Sequence, residues 1–157
     1  MRDTSKSEAT FTTSSGNTAT VEVPTTPSAD TTPITDNTTE TEQDSWATRI
    51  DAYLDGSPLA GQGATFAAAA AQYGVDPRIS PAISAVESTK GRYCFRPHNA
   101  WGWGSSSWSN WDEAIYAHVR GFASGYGSTL TMAVARKYCP PTASQWYASV
   151  LAEMNKI

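Results

Sequence analysis

The sequence predicts a mainly α-helical domain preceded by a disordered tail. This expectation depends on a change in composition near residue 45 and on the helical spacing of the apolar residues after it. Residues 1–44 contain 14 Thr, 5 Ser and 3 Pro, eight acidic residues against two basic ones, and one aromatic side chain, Phe11. Residues 45–157 contain all six Trp, all seven Tyr and both Cys. That second part has the size of one ordinary domain, so we expect a single hydrophobic core.

The tail, residues 1–44, is too poor in apolar residues to offset the entropy cost of ordering it. Its Ser, Thr, Pro and acidic residues are typical of an extended linker, glycosylated or unmodified, in a surface or secreted protein. No apolar stretch of the signal-peptide kind follows Met1, so an export signal would lie outside this chain.

Three helices are predicted in the first half of the domain. The first spans residues 46–54, with the preceding serine as its N-cap. The second is the Ala-rich run 64–73, which a glycine ends. The third starts at Asp76, or at Ser80 as its cap, and ends near Gly91. Its apolar face consists of Ile79, Ala82, Ile83 and Val86.

The second half combines an irregular aromatic segment with three further helices. Residues 92–111, rich in Trp, Gly and Ser, are expected to form a loop or a small hairpin. Asn110 and Glu113 form a capping-box pattern that opens the fourth helix. A short helix follows over 128–138, and a second capping box opens the last helix after Thr142.

Several classes of function are excluded by composition. The longest apolar stretch, residues 66–71, is far shorter than the roughly 20 residues of a membrane span. No basic run could bind nucleic acid. The sequence has no Cys/His cluster at zinc spacing and no phosphate-binding Gly loop, so we expect neither a metal nor a cofactor.

The two cysteines, Cys94 and Cys139, are expected to form a disulfide, with two buried thiols as the alternative. A bridge would close a loop of about 46 residues and stabilise the fold by about 4 kcal/mol. It would also favour an oxidising compartment. A thiol nucleophile at Cys94 with His98 as its base is disfavoured, because neither residue lies in a recognisable nucleophile motif.

Glu87 is the best candidate for a catalytic carboxylate. It follows an apolar helix at the C-terminal end, where the helix dipole and a neighbouring aromatic loop would favour the protonated acid that a general acid requires. From position alone, a solvated helix-end glutamate is the alternative. His118, on the fourth helix, is expected at the surface or at its boundary. The other carboxylates fit turns, caps or exposed helix ends: Asp51, Asp55, Asp76, Asp112, Glu113 and Glu153.

Three motifs follow one another in the domain: Tyr73-Gly74-Val75-Asp76-Pro77, Ala82-Ile83-Ser84-Ala85-Val86-Glu87-Ser88, and Asn99-Ala100-Trp101-Gly102-Trp103-Gly104. Their order and spacing resemble bacterial cell-wall glycosidases of the lysozyme-like superfamily. The resemblance is closest to the endo-β-N-acetylglucosaminidase family that includes flagellar and autolysin-type enzymes. It continues through residues 111–115 and 138–147 and covers roughly residues 64–157.

The resemblance implies a lysozyme-like fold, Glu87 as the catalytic acid, and the glycan strands of peptidoglycan as substrate. The protein would then be a secreted or cell-wall-associated monomer. Trp faces fit the C–H surfaces of sugar rings, and an Asn amide can bind an N-acetyl group. Trp108 could line the cleft or belong to the core, and Trp111 is expected in the core. The implied substrate-binding residues are Ser88, Asn99, Trp101, Trp103 and Tyr138.

The sequence departs from the family at the second carboxylate, which some members carry in a hairpin after the Asn turn. Here Ser105-Ser106-Ser107 occupies that place, and Asp112 and Glu113 already have a capping role. Two routes need one acid: attack by the substrate's own 2-acetamido group, or attack by the 6-hydroxyl of N-acetylmuramic acid, as in lytic transglycosylases. The alternatives are therefore a lytic transglycosylase or muramidase and, in another class, a non-catalytic peptidoglycan-binding module.

Overall fold

The computed structural model describes residues 37–157, and these form six α-helices, one 3₁₀ turn and no β-strand. The all-α class is therefore confirmed for this part of the chain. The aromatic segment is a loop between the third and fourth helices, so the hairpin alternative is wrong. The helices are α1 (Asn37–Leu54), α2 (Gly63–Tyr73), α3 (Ile79–Ser88), α4 (Trp111–Tyr126), α5 (Met132–Tyr138) and α6 (Ala143–Met154), with the 3₁₀ turn over Pro140–Thr142.

Helix α1 begins at Asn37, nine residues before the predicted start at residue 46. Residues 37–44, which the sequence assigned to the disordered tail, are therefore helical. No Pro or Gly interrupts this stretch, and Glu40 in the first turn interacts favourably with the positive end of the helix dipole. The remainder of the predicted tail, residues 1–36, lies outside the described residues.

Helices α1 and α2 pack closely at Gly63, the first residue of α2. A Cβ atom at Gly63 would lie 2.1 Å from the carbonyl oxygen of Ala47, so only glycine allows this approach. Asp51 of α1 accepts a hydrogen bond from the Gly63 N–H at 2.6 Å and so pairs one of the free donors of the α2 N-terminus. The hydrophobic core continues through α3, α4 and α6.

Helix α3 begins at Ile79, between the two predicted starts, and includes Pro81 in its first turn. A proline is tolerated there because the first-turn N–H groups have no partner within the helix. The helix ends at Ser88, and Thr89, Lys90 and Gly91 that follow all have positive φ. This left-handed turn reverses the chain directly after the candidate acid.

The predicted caps of the later helices are only partly correct. The Asn110 side chain accepts from the Glu113 N–H at 2.9 Å and starts α4, as expected. Helix α5 begins at Met132, with Thr131 as its cap, and not at the predicted residue 128. Thr142 makes no side-chain cap to α6, because its hydroxyl is 3.2 Å from the Cys139 sulfur.

The predicted disulfide between Cys94 and Cys139 is wrong, because both are free, half-buried thiols. Each sulfur has its own local partner. The Cys94 Sγ donates to the Gly91 carbonyl at 3.4 Å, and the Cys139 Sγ pairs with Thr142. The inference of an oxidising compartment from a disulfide is lost with it. No helix of residues 37–157 is long and apolar enough to cross a membrane.

Candidate active site

Glu87 lies in the last turn of α3, and α6 fixes its carboxylate from one side. The buried indole of Trp146 donates from Nε1 to Glu87 Oε1 at 2.7 Å. No described residue hydrogen-bonds the other oxygen, Oε2. The residue as a whole is solvent-exposed.

Gly102, in the loop after α3, approaches the carboxylate from the other side. It has φ +67°, and a Cβ atom there would lie 3.0 Å from Glu87 Oε2. A side chain at this position would therefore meet both backbone strain and the carboxylate. Glycine brings the loop backbone beside the oxygen that Trp146 does not bind.

A pocket of about 170 Å³ opens at this carboxylate. It is smaller than the roughly 300–1,000 Å³ of sites for drug-sized ligands. We conclude that it could enclose one ring of a longer ligand. Glu87 is the one ionisable carboxylate in its wall. The lining residues are Glu87, Ser88, Tyr93, Phe95, Asn99, Gly102 and Gly104.

Ser88 and Asn99 line this pocket, but their polar atoms are already used within the fold. The buried Ser88 hydroxyl contacts the carbonyls of Ser84 and Ala100 at 3.0 and 2.8 Å and accepts from the Gly91 N–H at 2.9 Å. The Asn99 amide donates to the carbonyls of Trp103 and Ser106 and accepts from the Trp103 N–H. Both side chains therefore shape the loop and have little free capacity for a ligand.

Trp101 is fully buried, so its predicted place on the cleft floor is wrong. Its indole donates to the Ser80 carbonyl at 2.9 Å and stacks on His118 at a centroid distance of 4.7 Å. His118 is also fully buried, which corrects its predicted surface position. Burial lowers the pKa of His118 to about 3, so the ring is neutral.

Trp103 and Tyr138 are half-buried and form one hydrogen-bonded pair behind the carboxylate. The Trp103 Nε1 donates to the Tyr138 hydroxyl at 3.0 Å, and that hydroxyl donates to the Trp101 carbonyl at 2.8 Å. The Tyr138 ring stacks on Trp146 at 4.7 Å. Burial and the nearby Glu87 charge raise the pKa of Tyr138 well above its ordinary value. Tyr138 is therefore a neutral phenol, and its ring packs against Trp146.

The remaining sequence candidates lie outside the pocket wall. Asp112 accepts from the Thr65 hydroxyl of α2, and Glu113 accepts from the Ser109 N–H just before α4. Trp108 and Trp111 pack against the core, which confirms the expectation for Trp111. Neither acid is in position to act as a second carboxylate beside Glu87.

The thiol-nucleophile alternative finds no support in the geometry. Burial raises the pKa of the Cys94 thiol, although a hydrogen bond with Ser88 opposes this. The His98 Nδ1 is paired with the Trp108 carbonyl at 2.8 Å. A neutral thiol and an engaged imidazole do not form an activated nucleophile.

Sequence reasoning missed four residues of this site. Trp146 binds the carboxylate and Gly102 lies beside it. The pocket rim carries Tyr93 and Phe95, whose side chains are among the most exposed large apolar groups of the described chain. Tyr93 and Phe95 lie in an irregular loop, so no period in the sequence indicates that their side chains point outward. Nothing local to Glu87 indicates Trp146, which is 59 residues away.

A second hollow, of about 230 Å³, lies between α1 and α2, with Trp46 and Glu42 in its wall. It contains neither Glu87 nor any group that contacts it. Within residues 37–157, no three His, Cys, Asp or Glu side chains are grouped so that they could hold a metal ion.

Comparison with models of known protein families gives no match for this chain, and comparison with curated proteins gives no significant match.

Proposed function

We propose that this protein is a peptidoglycan glycosidase that cleaves the β-1,4 glycan strand with Glu87 as general acid. The observation that carries the proposal is the environment of one carboxylate. Glu87 Oε1 is held by Trp146, and Oε2 has no hydrogen-bond partner within the described residues and faces Gly102 at the pocket. The family resemblance of the three sequence motifs supports the same assignment.

In the proposed reaction, Oε2 of the protonated acid gives its proton to the glycosidic oxygen as the bond from that oxygen to the anomeric carbon breaks. The Trp146 N–H holds the carboxyl group in one orientation and stabilises the carboxylate that remains. General acid catalysis of this kind typically contributes about 100- to 10,000-fold to the rate.

A single carboxylate in the pocket wall favours a single-acid route over a two-carboxylate mechanism. We favour attack by the 2-acetamido oxygen of the substrate on the anomeric carbon, followed by water, as in an endo-N-acetylglucosaminidase. The lytic transglycosylase alternative uses the 6-hydroxyl of N-acetylmuramic acid, which would return its proton to Glu87. A muramidase would use the same acid to cleave the β-1,4 bond that follows N-acetylmuramic acid, instead of the bond that follows N-acetylglucosamine.

Mass spectrometry of digested peptidoglycan tests this assignment. Reducing N-acetylglucosamine ends are the expected product. Reducing N-acetylmuramic acid ends would indicate a muramidase, and anhydro ends a lytic transglycosylase. We expect a monomer that acts in a secreted or cell-wall-associated location, because its proposed substrate lies outside the cell membrane.

One observation favours the second class, a non-catalytic glycan-binding module. Glu87 is solvent-exposed, which is also typical of a helix-end glutamate without a catalytic role. The pocket and its aromatic rim could bind glycan without any chemistry. Tight binding to peptidoglycan with no cleavage product of any kind would establish this alternative.

A further inference from the structure

We propose that Tyr93 and Phe95 form an aromatic platform that binds a sugar ring of the glycan strand beside Glu87. This inference rests on the proposed function and deepens it, since it names the residues that hold the substrate. The relative exposures are 75% for Tyr93 and 102% for Phe95, and both residues line the pocket that contains Glu87. Neither residue stands in the motifs that carry the family resemblance.

Backbone and core contacts connect the platform to the end of α3. The Tyr93 N–H donates to the Ser88 carbonyl at 3.0 Å, which joins the segment to the residue next to Glu87. Cys94 packs against the core and bonds the Gly91 carbonyl. Tyr93 and Phe95, on either side of this inward cysteine, are both exposed, so their side chains lie on the outer side of the segment.

Among the pocket residues, Tyr93 and Phe95 are the ones whose side chains are free to pack on a sugar ring. Ser88 and Asn99 have their polar atoms engaged within the fold, and Gly102 and Gly104 have no side chains. A sugar ring presents a flat C–H face that packs on an aromatic face and hydroxyl groups that remain hydrated or contact a carboxylate. One ring fits the small pocket volume. Exposed aromatics beside an acid match a pyranose better than an apolar ligand.

Binding should be measured in the Glu87→Gln background, so that cleavage does not interfere. The probes are the soluble β-1,4 tetramer of N-acetylglucosamine, by calorimetry, and insoluble peptidoglycan, by co-sedimentation. Replacing both Tyr93 and Phe95 with Ala should weaken binding at least 10-fold. Tyr93→Phe and Phe95→Tyr keep the rings and should retain affinity within about 3-fold. Leu151→Ala, which removes an exposed apolar side chain outside the pocket, is the matched control and should bind normally.

The outcomes separate this proposal from the proposed function. Equal affinity of the double Ala variant and its parent, with both folded by circular dichroism, would overturn the platform and leave the glycosidase assignment intact. Absence of glycan binding in the parent itself would overturn both. Loss of self-association in the double variant, measured by analytical ultracentrifugation and without a change in glycan affinity, would assign the aromatics to contact between copies of the chain instead.

Discussion

Two residues lie beside the Glu87 carboxylate, each next to a different oxygen. The Trp146 indole binds Oε1 from α6, while Gly102 gives Oε2 space from the loop. The hydrogen bond from Trp146 to Oε1 restricts rotation of the carboxyl group, so Oε2 keeps one orientation toward the pocket. Substitution of either residue should therefore change catalysis more than stability.

Gly102→Ala should reduce the release of soluble fragments from peptidoglycan by about 100-fold, because a displacement of the acid by about 1 Å can cost that much. The new Cβ would lie 3.0 Å from Glu87 Oε2. Gly56→Ala, outside the pocket, is the matched control. It has the same type of left-handed backbone, φ +68°, but nothing lies within 4 Å of its Cβ. Equal activity losses in the two variants would show that backbone strain, not the carboxylate contact, is responsible.

Trp146→Phe should lower cleavage by about 10- to 100-fold, the equivalent of a hydrogen bond to a charged group. Phenylalanine preserves most of the stacking on Tyr138 but lacks the N–H donor. Trp108→Phe makes the same change at a half-buried indole away from Glu87 and should stay within about 3-fold of wild type. An unchanged rate in Trp146→Phe would contradict the positioning role.

At the scale of the elements, α4 approaches the site most closely at Gly121. A Cβ atom at Gly121 would lie 2.3 Å from the Trp103 ring, so this ring rests directly on the α4 backbone. Trp103 in turn donates to Tyr138, which stacks on Trp146. A change in α4 can therefore reach Glu87 through three aromatic side chains.

Gly121→Ala should displace Trp103, destabilise the fold by about 1–3 kcal/mol and lower cleavage at least about 10-fold. Gly125→Ala lies in the same helix with nothing within 4 Å of the new Cβ. It should be neutral or stabilise the protein by up to about 1 kcal/mol, since Ala is the better helix former. Urea denaturation and the cleavage assay measure both effects. If Gly121→Ala resembles Gly125→Ala, the contact with Trp103 does not support the site.

Local signals in the sequence predicted most helices. They failed for features that depend on contacts between residues far apart in the chain. The Asn110 cap and the end of α2 at Gly74 depend on neighbouring residues and were predicted correctly. The buried Trp101 and the exposed Phe95 both lie in an irregular loop, where no helix or strand period indicates which side chains point inward. The prediction of a disulfide failed because the spacing of two cysteines along the chain does not give their distance in space.

For the whole molecule, the buried neutral His118 makes stability depend on pH. The ring lies among Ser80, Trp101, Trp103 and Phe122, and none of these described neighbours carries a charge. Its folded pKa of about 3 is below the unfolded value of about 6.5. Between these values the unfolded chain binds one more proton than the folded chain. This group's contribution is therefore fully present above about pH 6.5 and is lost as pH falls toward 3.

The free energy of unfolding should fall by up to about 1.4 kcal/mol for each pH unit between 6 and 4 because of this one group. His118→Phe keeps a buried ring without a titratable nitrogen and should have a flatter profile by the same amount. Other titrating groups affect wild type and His118→Phe alike. Asp76 is one of them: it is partly buried, but hydrogen bonds from Arg78 hold its pKa below its usual range. Urea denaturation across this pH range provides the comparison. Parallel profiles for the two proteins would contradict the assignment.

The most direct test of the central claim is the rate at which Glu87→Gln releases reducing ends from peptidoglycan. Glutamine preserves the side-chain shape and can still accept the Trp146 hydrogen bond, but it has no carboxylic proton to donate. We predict a loss of at least about 100-fold in rate, with folding and glycan binding retained. Glu153→Gln, which changes a carboxylate outside the pocket, should cleave as fast as wild type. Cleavage by Glu87→Gln at the wild-type rate would show that Glu87 is not the acid.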